Sequence, residues 1–97
     1  MNQSIFDAIQ RILPELRELG VEHLDVFGSV ARGSETPQSD LDVVVHLGRA
    51  PELRRLVAIA DALELAVGRK VDVTTPGALS QRPRLQRRVE HEAIRVA

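Results

Sequence analysis

The sequence predicts an α/β fold, a small mixed β-sheet of about three strands flanked by helices. Three observations support this. Apolar residues recur at helical spacing in three regions. Short β-branched runs, Val43-Val44-Val45 and Val71-Asp72-Val73-Thr74, lie between those regions. Gly or Pro stands at nearly every junction. The 97 residues are expected to make one domain, residues 1–97, with enough chain for one core and no second.

Ile5, Ile9, Ile12, Leu13, Leu16 and Leu19 form the first helical stripe, with Ser4 as its N-cap and Gly20 as its stop. Pro14 falls inside that stripe and should kink or split the helix, because its ring clashes with the carbonyl of residue 10. His23 is placed in a turn, after which Leu24 to Phe27 reads as a short strand delivering the chain to Gly28. Ser29 to Arg32 looks like a single helical turn ended by Gly33, and Ser34 to Ser39 is a polar loop containing Pro37. Leu41 to Leu47 is the second strand, whose unbroken valines suggest cover on both faces.

The second helix opens at Pro51-Glu52, with proline near its first position and an acid in its first turn. Leu53, Leu56, Val57, Ile59, Ala60, Leu63 and Val67 line it, and Gly68 ends it. Val71 to Thr74 is the third strand and Pro76-Gly77 a turn. From Ala78 a helical region, interrupted at Pro83, is expected to run to the C-terminus with Leu85, Val89, Ala93 and Ile94 on one face.

Composition narrows the function. The formal net charge is −1, so the overall balance points to neither nucleic acid nor an anionic membrane. With no cysteine there is no disulfide, thiolate ligand or cysteine nucleophile. Aromatics are 2% of the chain, Phe6 and Phe27 alone, which removes the usual stacking platform for single strands and disfavours direct nucleic-acid binding. No apolar run approaches the ~20 residues that span a bilayer. A soluble, cytoplasmic protein is the expectation.

The chemistry concentrates between Val26 and Leu47. Asp40 and Asp42 stand at a strand start, and residues i and i+2 of a strand face the same side with Cα atoms roughly 6.5 Å apart. Their carboxylates suit hard cations bound at phosphorus chemistry; a bare pair like this can also be turn chemistry, with Asp40 capping the loop. Asp72 sits mid-strand, where an acid is unexpected. It either points at the same ions or faces solvent from an edge strand, and the presence of Asp40 and Asp42 favours the ligand role. Gly28-Ser29 precedes a helical turn whose backbone amides could hold a phosphate. Arg32 reaches either a phosphate or an acid across the sheet edge. Ser39 stands beside Asp40 or caps the strand entry. His46 shares the face of Asp42, as a site-lining residue or a satisfied strand histidine. Arg82, Arg84, Arg87 and Arg88 form a basic cluster of the kind that is usually a solvated face.

Gly28-Ser29-x-x-Arg32-Gly33, Ser39-Asp40-x-Asp42 and the isolated Asp72 together resemble the nucleotidyltransferase superfamily of DNA polymerase β type. The small size resembles its minimal (MNT) branch, which includes the MntA-type antitoxins of HEPN/MNT toxin–antitoxin pairs. Gly68 to Val73 also looks like that family's approach to its third acid. The resemblance implies that Asp40, Asp42 and Asp72 bind two Mg²⁺, that Gly28 and Ser29 hold nucleotide phosphates with Arg32 and Ser39 beside them, and that ATP is the donor. It further implies transfer of AMP to a tyrosine hydroxyl of a HEPN toxin, with Asp72 helping to deprotonate the acceptor. The rival expectations are an antitoxin that only masks its partner, and a transferase with a small-molecule acceptor.

Overall fold

The computed structural model describes all 97 residues. The chain begins with α1 (Gln3–Arg11) and α2 (Leu13–Glu18), the two pieces into which Pro14 divides the first helix. Its N-cap is Asn2, whose side chain accepts the Ile5 N–H at 3.2 Å, and not Ser4, which lies inside the first turn. Gly20 turns the chain with φ 93° into β1 (Val21–Phe27), which starts earlier than its apolar core suggests and takes His23 into the strand.

α3 (Gly28–Arg32) follows without a loop and ends on Gly33, a left-handed cap at φ 74°. β2 (Leu41–Leu47) has the expected bounds. α4 (Leu53–Val67) has Glu52 as its N-cap, so Pro51 lies outside the helix and no acid occupies its first turn. β3 (Val71–Thr74) also has the expected bounds. Pro76-Gly77 is the start of a short helix, α5 (Pro76–Ser80), capped by the Thr75 hydroxyl, which accepts the Ala78 N–H. α6 (Pro83–Glu92) then runs back across the sheet.

The sheet has four strands and not three. After α6 the chain turns extended at Ala93 and adds β4 (Ile94–Arg95), giving the order β3-β2-β1-β4. β1 runs antiparallel to both β2 and β4, whereas β2 and β3 are parallel, so the sheet is mixed. The C-terminal helix therefore stops short of the end of the chain. Val96 N–H donates to the Leu24 carbonyl at 2.9 Å and Leu24 N–H to the Ala97 carbonyl at 3.2 Å, extending the edge beyond the two-residue strand.

Alternation along the strands sorts side chains to two faces. Leu24, Val26, Leu41, Val43, Val45 and Val71 face α1, α2 and α4 and join Ile9, Leu16, Ile59 and Leu63 in the main core. On the opposite face Phe27 and Val44 pack with Leu79 of α5 and Val89 of α6. The covered valine run of β2 thus serves both layers. This second face also carries Asp42 and His46, alternating with Val44, and Asp72 of β3. The small size of its apolar cluster leaves room there for a cleft. No helix is long and apolar enough to cross a membrane.

Candidate active site

Asp42 is the second residue of β2 and Asp72 the second of β3. The parallel register makes them direct Cα partners, so two carboxylates rise side by side from strands ~4.8 Å apart. Asp40 precedes β2 by one residue, with Lys70 Nζ 4.0 Å from its Oδ2. Partial burial pushes the Asp42 carboxyl above its ordinary value, and the neighbouring charges of Asp72 and then Asp40 push it the same way, against weaker opposition from Arg32 and Arg88. Excess negative charge at a strand end is the electrostatic signature of the site. The three acids do not yet converge: no three carboxylate or histidine groups close to metal-binding distance.

Asp42 and Asp72 form one side of a cleft of about 470 Å³ between the sheet and α6, and Asp40 stands outside its lining. Gly28 and Thr74 also line it, and Arg82 and Arg88 stand on the α6 side. Gly28 is required there twice over. Its φ is +75°, and a Cβ at that position would collide with the Asp42 carboxylate.

The other residues singled out from the sequence are distributed differently. Gly28 N–H donates to Glu92 Oε1 at 2.9 Å, and Arg32 Nη1 donates to both oxygens of the same carboxylate at 3.1 and 2.9 Å. Of the two roles open to Arg32, the structure shows the contact with an acid. Partial burial raises the Glu92 carboxyl, but the Arg32 guanidinium and the Gly28 amide outweigh it and hold the group below the usual carboxylate range. Ser29 lies in the first turn of α3 and its carbonyl accepts the Ser34 N–H at 3.0 Å. Ser39 Oγ accepts the Thr36 N–H at 2.9 Å and so closes the loop before β2. Arg69 secures that loop by donating to the Thr36 and Ser39 carbonyls, each at 3.1 Å.

His46 is a satisfied strand histidine. Its Nε2 lies 2.9 Å from Asp25 Oδ2, and Arg95 Nε donates to Asp25 Oδ1 at 2.9 Å. The Asp25 carboxyl is pushed up by burial yet held low overall by hydrogen bonds from Arg95 and His46. A second cavity, of about 390 Å³, is lined by His23 and His46 and contains none of the three acids.

Two features of the site leave little trace in the sequence. Glu92 carried no local signal beyond Arg88 four residues before it on the same helix. The arginine cluster was visible as a cluster, but nothing in its spacing alone showed that Arg82 and Arg88 would face the acids.

The cleft, with its paired acids at the end of a mixed sheet, can now be set beside known proteins. Residues 9–96 match the family model described as a nucleotidyltransferase domain. The chain belongs to this family. This nucleotidyltransferase is 36% identical over 87 residues to a Methanocaldococcus jannaschii protein assigned as a protein adenylyltransferase, across 90% of this chain and 91% of that one. It is 36% identical over 66 residues to the protein adenylyltransferase MntA of Thermococcus cleftensis, across 67% of each chain. It also superposes with TM-score 0.68 on a chain of the complex between a tri-AMPylated HEPN toxin of Shewanella oneidensis and MNT antitoxin. That match covers 100% of this chain and 72% of the other at 19% identity, a likeness of fold.

Proposed function

We propose that this nucleotidyltransferase moves AMP from ATP to a tyrosine hydroxyl of a cognate HEPN toxin, and that it acts in the cytoplasm as that toxin's antitoxin. The observation that carries the reading is the pairing of Asp42 with Asp72, beside Asp40, in a cleft with arginines on its other side. Two relatives named for protein adenylylation support a protein acceptor. The fold shared with a complex of an AMPylated toxin and its antitoxin supports the partner class.

The donor set fits Mg²⁺. All three groups are oxygen ligands, as a hard cation requires; burial and then repulsion from Asp72 and Asp40 raise Asp42, and a cation would offset both. Asp72 is exposed and Asp40 half-buried, so both carboxylates can rotate toward Asp42 without disturbing the core. Asp40, Asp42 and Asp72 would hold two ions, which when bound neutralise the triphosphate and the charge that develops on it.

The chain's own groups supply position and proton transfer. Asp42 and Asp72, fixed by adjacent strands, set where the α-phosphorus sits, and Gly28 lets the nucleotide approach the backbone closely. Asp72 faces the solvent side and accepts the proton of the incoming hydroxyl. The acceptor oxygen forms a bond to the α-phosphorus while the α–β bridging bond breaks, and pyrophosphate leaves. The test is to incubate the protein with its HEPN-type partner, ATP and Mg²⁺ and to weigh the partner. The proposal expects a mass gain in whole AMP units that maps to tyrosine. An unmodified partner, in a mixture where the two proteins bind, contradicts it.

A further inference from the structure

We propose that Arg82 and Arg88 take the charge of the nucleotide's β- and γ-phosphates, while Arg32, the arginine of the glycine-rich turn, is a structural clamp. This assignment rests on the transferase reading above.

Arg32 is already committed to a carboxylate. Its Nη1 bonds to both oxygens of Glu92, and the same carboxylate accepts the Gly28 N–H. These are charge-assisted bonds to a side chain only 17% exposed. Moving Arg32 to a phosphate would strip a largely buried carboxylate of its principal cation. The Glu92 carboxylate also occupies the Gly28 amide, so a phosphate seated on that amide must first displace an anion the protein itself provides.

Arg82 is free where Arg32 is not, and Arg88 is only loosely held. Both line the cleft that contains Asp42 and Asp72. Arg82 is the N-cap of α6, and Leu85 and Arg88 follow at intervals of three, which keeps all three on one side of the helix. Leu85, between them, borders the same cleft. Arg82 makes no ion pair, and the one pair of Arg88 is a loose 3.9 Å approach to Glu92 from a side chain 60% exposed. Arg84 and Arg87 do not line the cleft; they line a separate open depression, which Arg82 and Leu85 border as well.

This separation suits the reaction. A nucleoside triphosphate brought to three carboxylates meets like charge, and the leaving diphosphate gains charge as the α–β bond breaks. Guanidinium groups across the cleft neutralise both, and their forked donors match phosphate oxygens. The acids handle the α-phosphorus, and the arginines handle the leaving group.

Titration calorimetry with ATP and Mg²⁺ tests the assignment on the purified full chain, with melting curves reporting the fold of each variant. Arg82→Ala and Arg88→Ala are each expected to weaken ATP binding by about tenfold or more, the worth of a lost charge-assisted bond. Arg88→Lys should recover part of the loss and Arg88→Met, which keeps the length without the charge, should not. Arg84→Ala should bind as the wild type does. The assignment is overturned if Arg82→Ala and Arg88→Ala bind ATP with wild-type affinity, or if Arg84→Ala weakens binding as much as they do. A wild-type chain that binds no ATP overturns the transferase reading itself, and the assignment with it.

Discussion

Glu92→Ala removes, in one substitution, the acceptor of the Gly28 N–H and both oxygens that Arg32 holds. The amide bond has an ionised acceptor, a type that contributes ~1.5–3 kcal/mol. The Arg32 guanidinium is 44% exposed, so solvent screening limits the ion pair to ~0.2–1 kcal/mol. Together the loss is about 2–4 kcal/mol. In a domain of this size each kcal/mol moves Tm by about 4–8 °C, so the variant should melt roughly 8–30 °C below wild type at pH 7. Glu92→Gln keeps an oxygen for the amide and should lose about half as much.

The pH dependence has a definite sign. The folded Glu92 carboxyl lies below its ordinary value, so its contribution is complete above about pH 4.5 and fades as pH falls through the depressed folded value. Thermal melts followed by circular dichroism from pH 7 to pH 3 should therefore show the gap between wild type and Glu92→Gln closing in acid. A Glu92→Ala protein melting within about 3 °C of wild type at pH 7 would refute the clamp. A Glu92→Gln gap unchanged at pH 3 would do the same.

Gly28 and Gly33 have nearly the same left-handed φ, +75° and +74°, but only at Gly28 does a Cβ meet a neighbour, the Asp42 carboxylate. Alanine should cost about 1 kcal/mol at either position from backbone strain alone, and only Gly28→Ala should also abolish AMP transfer; equal activity in the two variants would show that Asp42 is not held where the cleft needs it. Asp25→Asn weakens the contacts to Arg95 and His46 and should cost about 1 kcal/mol at neutral pH. Because the folded Asp25 carboxyl is held low, that difference should be present above about pH 4 and shrink as pH falls through the lowered value, as a denaturant series at pH 7 and pH 3 would show.

The parts of the fold that local chemistry dictates were legible in the chain. Pro14 divides the first helix because its ring cannot coexist with the carbonyl of residue 10. Gly33 and Gly68 end helices in the left-handed conformation that glycine adopts without strain. β2 and β3 have the bounds that their β-branched runs imply. Most of what escaped depends on partners distant in sequence. Ala93 and Ile94 continue the helical spacing of Leu85 and Val89, yet the open edge of β1 draws Ile94 and Arg95 into a strand. Asn2 outcompetes Ser4 as a cap, a choice of position that short-range pattern leaves open.

The buried stripe of α4 is narrower than its apolar spacing suggests. Ile59 and Leu63 are buried, but Leu53 is 78% and Val57 50% exposed. In the site, Asp42 and Asp72 could be foreseen as neighbours, whereas their pairing needed the parallel register. The Glu92 clamp joins residues 64 apart in the chain, and no periodicity announces such a contact.

The central claim is that the paired acids perform chemistry and do more than decorate a binding surface. Asp42→Asn tests it most directly, because it keeps the shape of the side chain and removes the charge. The measurement is parallel: affinity for the proposed HEPN partner, AMP transferred to that partner by mass, and rescue of cell growth from that toxin. The account predicts that Asp42→Asn still binds the partner, transfers no AMP and fails to restore growth. A variant that transfers no AMP yet restores growth as well as wild type would contradict it, and would make this chain an antitoxin that works by masking alone.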